Sequence, residues 1–449
     1  MTTTGPRRET GAPTGRTFER SRILGIAASD LTPGGVHSNI RLAEQPFPLF
    51  FDSASGAHLR DVDGNDVIDY VMGMGPMLLG HRPKAVIDAV IDQLGRGILF
   101  AGQHELEIEA AEQLTRLIPC AERVRFNVTG TEAVQAAIRM ARAATGRQKI
   151  VKFQGHYDGW ADSVLVNVSS RGHKVGPGRL AAVSETLGAE QAVLGDVIIG
   201  EWNDALGLES IFSDHASSIA GVLMEPVMAN NGVILPRDGY LQRVRELCTD
   251  HGAILIFDEV ITGFRVGAGG AQQRFGVVPD VATFGKAIAS GFPVAAVAGR
   301  RGLFDPIADG RVTHAGTYNS SAVGLAAAVT TMDILSDPGA GIYETLASRG
   351  GQLMAGIREV IAAHSAALHV QGLPMLFSIA FTTALAIRNH AEAATSDAAA
   401  LQRFRACLAE QGVRIAAKGT WFLSIAHTDD DIGRTVDAVD RALTTFERA

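Results

Sequence analysis

The chain is short of cysteine, of basic excess and of long apolar runs, and each shortage removes a class of protein. Its 449 residues hold three cysteines, Cys120, Cys248 and Cys407, far apart and without metal-like spacing. Cys248 falls within an amphipathic pattern that starts at Leu241, so these thiols read as structural and the compartment as reducing. No apolar stretch approaches the roughly 18 residues of a membrane span. The net charge is −8, from 40 Lys and Arg against 48 Asp and Glu, which leaves no basic footprint for nucleic acid. Local basic pockets for anionic small molecules remain compatible with it. Residues 1–16 are rich in Thr, Gly, Pro and Arg and lack the apolar core of a secretory signal. They read as a disordered tail on a cytoplasmic protein that binds neither nucleic acid nor membrane.

What is present is ordinary globular composition, 46% apolar and 20% charged. The length predicts about two or three domains at roughly 100–200 residues each. After the tail, Phe18–Ala27 is expected as a short helix, broken by Pro33-Gly34. Leu49–Phe51, Ala57–Leu59 and Val67–Tyr70 read as short strands, with Asp63-Gly64 turning between the last two. From Lys84 onward helices and buried strands alternate. Helices are predicted over Ala85–Leu94, Glu105–Ile118, Thr131–Ala144 and Gly239–His251. Strands are predicted over Val124–Asn127, Ile150–Phe153, Ser163–Val168, Val197–Ile199, Ile219–Met224 and Ala253–Phe257. This alternation predicts an α/β domain with a mainly parallel sheet flanked by helices. After Asn319, helices over Ala322–Leu335, Gly341–Ala363, Ala391–Gln411 and Asp430–Glu447 surround short strands near Phe377 and Trp421. The expected division is a tail (1–16), an N-terminal segment joining a small domain (17–72), a large domain (73–324) and a C-terminal small domain (325–449).

The run Ile254-Leu255-Ile256-Phe257 has the unbroken apolarity of a strand buried on both faces. Its carboxyl end delivers Asp258 and Glu259 to the edge where open α/β sheets bind ligands. A second apolar run, Val281–Phe284, delivers Gly285-Lys286. Such an acid and lysine serve either as a structural ion pair or as the two grips on pyridoxal phosphate, the acid at the ring nitrogen and the lysine at the aldehyde. Thr129-Gly130-Thr131-Glu132 has capping-box spacing at a helix start, which makes an ordinary cap or a phosphate site. Tyr157 lies between Gly155 and Gly159 just past a buried strand, placed either to stack on a planar ring or to sit in a surface turn. Two competing motifs fail. A nucleotide-binding loop ending at Lys286 needs glycine at 280 and a hydroxyl at 287, where Asp280 and Ala287 stand. Gly267-Ala-Gly269-Gly270 opens no clear helix, so a dinucleotide fingerprint is unsupported. Neither zinc spacing nor a Gly-x-Ser-x-Gly elbow occurs.

In chain order, Thr129-Gly-Thr-Glu-Ala133, Gly155-x-Tyr157-x-Gly159, Met224-Glu-Pro-Val227, Phe257-Asp-Glu-Val-x-Thr-Gly-Phe-Arg265, Gly285-Lys286 and Ala315-Gly-Thr317 resemble class III PLP-dependent aminotransferases. Pro33-Gly-Gly-Val36, Asp61-Val-Asp-Gly64, Gly75-Pro76 with Leu79-Gly-His81, and Ala426-His-Thr428 extend the resemblance toward the glutamate-1-semialdehyde 2,1-aminomutase branch. It implies the type I fold of PLP-dependent transferases, with a large domain and a smaller α+β domain built from both chain ends. It implies a homodimer with shared active sites and pyridoxal 5'-phosphate as cofactor. By the same resemblance, Lys286 would condense with the cofactor and move the proton, while Asp258 would hold the pyridine nitrogen protonated. Tyr157 and Val260 would cover the two ring faces, and Glu225 would lie near the ring's 3-oxygen. Thr129, Gly130 and Thr131 would bind the phosphate, joined by Thr317 across the dimer. Arg41 would receive a substrate carboxylate.

Three departures from the aminomutase pattern bear on the reaction. The Ser/Thr-rich gate segment expected before the first long helix is replaced by Ile98–Glu105, which includes Gln103. The family's Glu-Ala-Gly-Phe before Leu-Ser is replaced by Lys418-Gly-Thr-Trp421-Phe, removing an acid near the substrate amine. Ser321-Ala322 stands for Asn-Pro, and Asp158 for a histidine. The expectation is therefore an aminotransferase that moves an amino group between a carboxylate-bearing amine and a keto acid. An aminomutase, a racemase or a non-catalytic PLP-fold protein are the alternatives. Met72, Met74, Met77 and Trp421 read either as core or as an apolar side pocket, with Trp421 as a substrate contact.

Overall fold

The unbroken apolar run Ile254–Phe257 forms the centre of a nine-stranded sheet, since only a strand covered on both faces can bury every side chain. The computed structural model describes residues 16–448. The tail expectation thus lies, apart from Arg16, outside the described residues. The sheet runs Arg123–Asn127, Ala295–Gly299, Val281–Phe284, Ile254–Asp258, Ile219–Met224, Lys149–Phe153, Val197–Gly200, Arg179–Leu180 and Lys174–Gly176. Its middle five strands, Val281–Phe284 to Val197–Gly200, are mutually parallel. Ala295–Gly299 is antiparallel to both of its neighbours. Register fixes where the chemistry emerges: Phe257 lies opposite Met224 and Asp258 opposite Thr283. Glu225, Asp258 and Lys286 therefore leave the sheet at one edge.

The helix Gly130–Thr145 carries both halves of a capping box, and its apolar face, with Val134, Ala137, Ile138 and Ala141, is buried on the sheet. The N-terminal strands Phe51–Ser55, His58–Asp61 and Asp66–Asp69 form the expected meander, and Val413–Arg414 adds to it in parallel. A separate three-stranded sheet joins Leu368–Leu373, Leu376–Phe381 and Thr420–Phe422. Both chain ends thus meet beside the large sheet. Buried Arg265 ties them to it, donating to the carbonyls of Met375, Leu423 and Gly75.

Three local expectations need correction. Ser163–Val168 is not a strand but a loop with one bridge, Val166 to Ser184, because Asn167 adopts φ +52 and spends its side chain on Ala181 O and Gln154. Ala391–Gln411 divides into His390–Ala393 and Ala398–Glu410, where the Asp397 carboxylate caps the second helix at Ala400 N. A short helix, Gly270–Phe275, does open after Gly267-Ala-Gly269. Its first amides are taken by Glu259, which accepts from Ala271 N at 2.5 Å and Gln272 N at 3.2 Å. The second acid of the Asp258-Glu259 pair is thereby structural.

Candidate active site

At the carboxyl edge of the parallel strands lies a cavity of about 280 Å³. Gly130, Thr131, Tyr157, Asp158, Glu225, Asp258, Val260 and Lys286 all line it. Gly130 and Lys286 are 156 positions apart in sequence, and four strand ends and one helix start bring the set together. Lys286 is held at φ +46, a left-handed conformation that costs a residue with a Cβ about 1–2 kcal/mol. Strain of this kind persists where the surroundings over-determine a functional position. Burial lowers the Lys286 ammonium from its ordinary range, and Asp258 opposes that shift.

Asp258 is buried, and both of its protein donors converge on one oxygen. Val260 N and Thr283 Oγ1 each lie 3.0 Å from Oδ1, while Oδ2 has no donor among the described residues. Burial, and then Asp158, raise the Asp258 carboxyl above its usual range. Burial likewise pushes Glu225 up to about 7, with Asp158 adding to the shift. Yet Glu225 is well satisfied, accepting from Tyr157 N at 2.8 Å on Oε1 and from Ala229 N at 2.9 Å on Oε2. A cavity whose acids are pushed toward neutrality calls for a positive ligand group, and a protonated pyridine nitrogen at the free Asp258 oxygen meets that need.

The phosphate end is more selective than the sequence pattern suggests. Thr129 is exposed and does not line the cavity. Its amide donates to Glu132 Oε2 at 2.8 Å, and its hydroxyl accepts from Glu132 N at 3.3 Å. The capping box consumes it, and Gly130 and Thr131 are left at the cavity wall. Val260 backs this corner: a Cβ on Gly130 would sit 3.0 Å from one Val260 methyl. The cavity therefore has a helix N-terminus for a phosphate, a carboxylate for a ring nitrogen and a lysine for an aldehyde. These features fit pyridoxal 5'-phosphate.

Four residues expected at or beside the site lie outside the cavity lining of this chain. Trp421 is fully buried in the small sheet, stacked on Phe377 at 5.4 Å with Tyr70 at 4.8 Å, so it is core and not a cavity contact. Met72 is likewise core, beside Val71 and Phe422. Trp421→Ala should cost about 3–5 kcal/mol in denaturant unfolding, while Trp421→Phe should keep near-parental activity. Arg41 is exposed in a 3₁₀ turn, Asn39–Ala43, outside the cavity lining of one chain. Thr317 is exposed and also outside it. Sequence reasoning missed Asp158 as a lining residue and Lys152 beneath it; the departure from histidine was the available signal.

The raised acids set a pH dependence. A carboxyl whose folded pKa is raised binds more protons in the folded state than in the unfolded, so stability falls as pH rises between the two values. For Glu225 that window runs from about 4.5 to about 7. The cofactor-free chain should melt at a lower temperature at pH 7.5 than at pH 5, and Glu225→Gln should reduce that difference. An equal difference in the variant would assign the slope to other groups.

A cavity of this construction defines a pyridoxal-phosphate enzyme. The comparisons carry this further. Residues 40–443 match the family model described as aminotransferase class-III. The chain belongs to the class III aminotransferase family, and its cofactor is pyridoxal 5'-phosphate. It is 40% identical to a glutamate-1-semialdehyde 2,1-aminomutase of Alkaliphilus oremlandii, over 96% of this chain and 100% of the relative. It is 34% identical to an omega-transaminase from Sphaerobacter thermophilus of known structure, with a TM-score of 0.90 over 98% of this chain and 99% of that one. A beta-phenylalanine aminotransferase from Variovorax paradoxus is 29% identical, with a TM-score of 0.85 over 96% and 95%. These likenesses agree with the expected fold of PLP-dependent transferases. Among the described residues no helix is long and apolar enough to cross a membrane.

Proposed function

We propose that the chain is an aminotransferase that passes an amino group from a carboxylate-bearing amine to a keto acid. The observation that carries this reading is Lys418. Where the aminomutase pattern has an acid, its ammonium stands 3.0 Å from Asn231 Oδ1, and no carboxylate lies within ion-pair distance among the described residues. Asn230, beside Asn231, lines the cavity. Lys418 stands outside that lining, joined to it through Asn231, and a cation there would suit an anionic acceptor that enters after the keto product has left. Replacement of the gate segment by Ile98–Glu105 suits the same exchange of substrates.

When bound, pyridoxal phosphate supplies an aldehyde that condenses with amines and a protonated ring that withdraws electrons. Lys286 Nζ would carry the proton to and from the substrate carbon, and Asp258 would hold the ring nitrogen charged. Tyr157 would cover one ring face and Val260 the other. Glu225 would stand near the 3-oxygen, and Gly130 and Thr131 would bind the phosphate, with Thr129 as the cap that orients them. Arg41, which lies outside the cavity lining of one chain, would receive the substrate carboxylate. A homodimer completes the site with Thr317 of a second copy. Its support is an exposed apolar group beside that residue: Tyr318 is 66% exposed and Ile98 59%, and their segments touch through His104 Nε2 and Ser320 O at 2.8 Å.

The aminomutase is the second reading, and the name of the 40% identical relative favours it. Amine donors screened for bleaching of the bound cofactor, with mass analysis of products, separate the two. Efficient isomerisation of glutamate 1-semialdehyde, with no transfer to any keto acid, would sink the transaminase. Lys418→Ala should raise KM for a dicarboxylic keto acid roughly 10–100-fold with little change in kcat, since a charge-assisted hydrogen bond contributes about 1.5–3 kcal/mol.

A further inference from the structure

Lys152, behind the cavity, and Asp158, in its wall, are given no direct step in the proposed chemistry. Lys152 belongs to the strand Lys149–Phe153 and is fully buried. Its ammonium donates to His156 O at 2.8 Å and lies 3.0 Å from Asp158 Oδ2. The second contact is an ion pair by distance, without the alignment of a hydrogen bond, since neither Asp158 oxygen has a hydrogen-bond partner among the described residues. His156 and Asp158 are the two neighbours of Tyr157. One ammonium therefore grips the chain on both sides of the residue that covers the ring.

The turn needs such a grip. Gly155 at φ +91 and Gly159 at φ +106 bound it, and glycine in the left-handed region allows wide backbone freedom. Packing alone does not pin the ring, for Tyr157 is 38% exposed. Two further bonds complete the frame. Glu225 N donates to His156 Nδ1 at 2.9 Å, and Tyr157 N donates to Glu225 Oε1 at 2.8 Å. Burial holds the His156 imidazole well below its ordinary range, so it stays neutral and can accept that bond.

We propose that Lys152, with Asp158, is a positioning clamp that sets the Tyr157 ring against the cofactor. The inference rests on the stacking role given to Tyr157 under the proposed function. A buried ion pair is weak support for stability, because desolvation offsets its attraction, whereas a fixed orientation of nearby groups is a use that such pairs can have.

The test compares Lys152→Met, the double variant Lys152→Met with Asp158→Asn, and Tyr157→Ala. Binding of pyridoxal 5'-phosphate is followed by absorbance titration, the visible circular dichroism of the bound cofactor is recorded, and each cofactor-free chain is melted. Lys152→Met alone strands a buried carboxylate and can fail to fold. The double variant carries no buried unpaired charge, so it should melt within a few degrees of the parent. It should nevertheless bind the cofactor at least tenfold more weakly and show a diminished visible dichroic band. Parental affinity and dichroism in the double variant would overturn the clamp. So would weaker binding that only tracks a lower melting temperature, with the dichroic band of the loaded fraction intact. Tyr157→Ala tests the reading beneath it separately: unchanged affinity and dichroism there would remove the stacking role, and the clamp with it.

Discussion

Lys286→Ala should lower turnover by at least about 10⁴-fold, the upper end of what a positioned acid–base group contributes, since under the proposed function the lysine would also bind the cofactor covalently. The geometry gives the reason. Lys286 follows the strand Val281–Phe284 at φ +46, buried in a cavity where its ammonium is pushed below the ordinary range. A reference lysine pKa of about 10.4 leaves almost no neutral amine at pH 7, so burial makes the nucleophile available. Alanine removes nucleophile and proton carrier together, and the remaining wall still holds the ring and phosphate. The variant should bind pyridoxal 5'-phosphate reversibly, losing it on dialysis where the parent keeps it. Turnover within tenfold of the parent would show that another base moves the proton.

Asp258→Asn should cut turnover by about 10²–10³-fold, the cost typical of removing one preorganised electrostatic group at a reacting centre. Asparagine preserves the size of the side chain and can still accept from Val260 N and Thr283 Oγ1, the two bonds that orient it. What it lacks is the charge at the free oxygen. A ring nitrogen beside a neutral amide loses its proton and with it the pull on substrate electrons. The variant should therefore bind cofactor and amine yet turn over slowly. Near-parental kcat would mean that the ring nitrogen is partnered elsewhere, and the assignment of Asp258 would fall.

Much of the nine-stranded sheet and its helices was legible because their signals are local. Apolar runs of four to six residues became the strands Ile219–Met224, Ile254–Asp258 and Val281–Phe284, and the spacing of Thr129 and Glu132 became a real capping box. The errors came where side chains override propensity. Asn167 uses its amide to turn the chain away from an apolar run, and Asp397 restarts a helix in the middle of a helical pattern. Trp421 illustrates the commonest ambiguity. An aromatic in a stretch that departs from the aminomutase pattern looks like a substrate contact until its neighbours are known, and they are Phe377 and Tyr70.

The sequence by itself determined the order of strands and helices, the edge at which Asp258 and Lys286 emerge, and the class of cofactor that an acid, a lysine and a capped helix start can hold. The elements and the edge follow from periodicity, and the cofactor class from the resemblance of the ordered motifs to class III aminotransferases. Only the tertiary structure decided how each polar atom is used. Glu259 caps the helix Gly270–Phe275 while its neighbour Asp258 keeps one oxygen free. Thr129 is absorbed by Glu132, and Lys152 reaches both flanks of Tyr157. The physical reason is that a hydrogen bond is made within about 3 Å of space, and strand register and packing bring those atoms together.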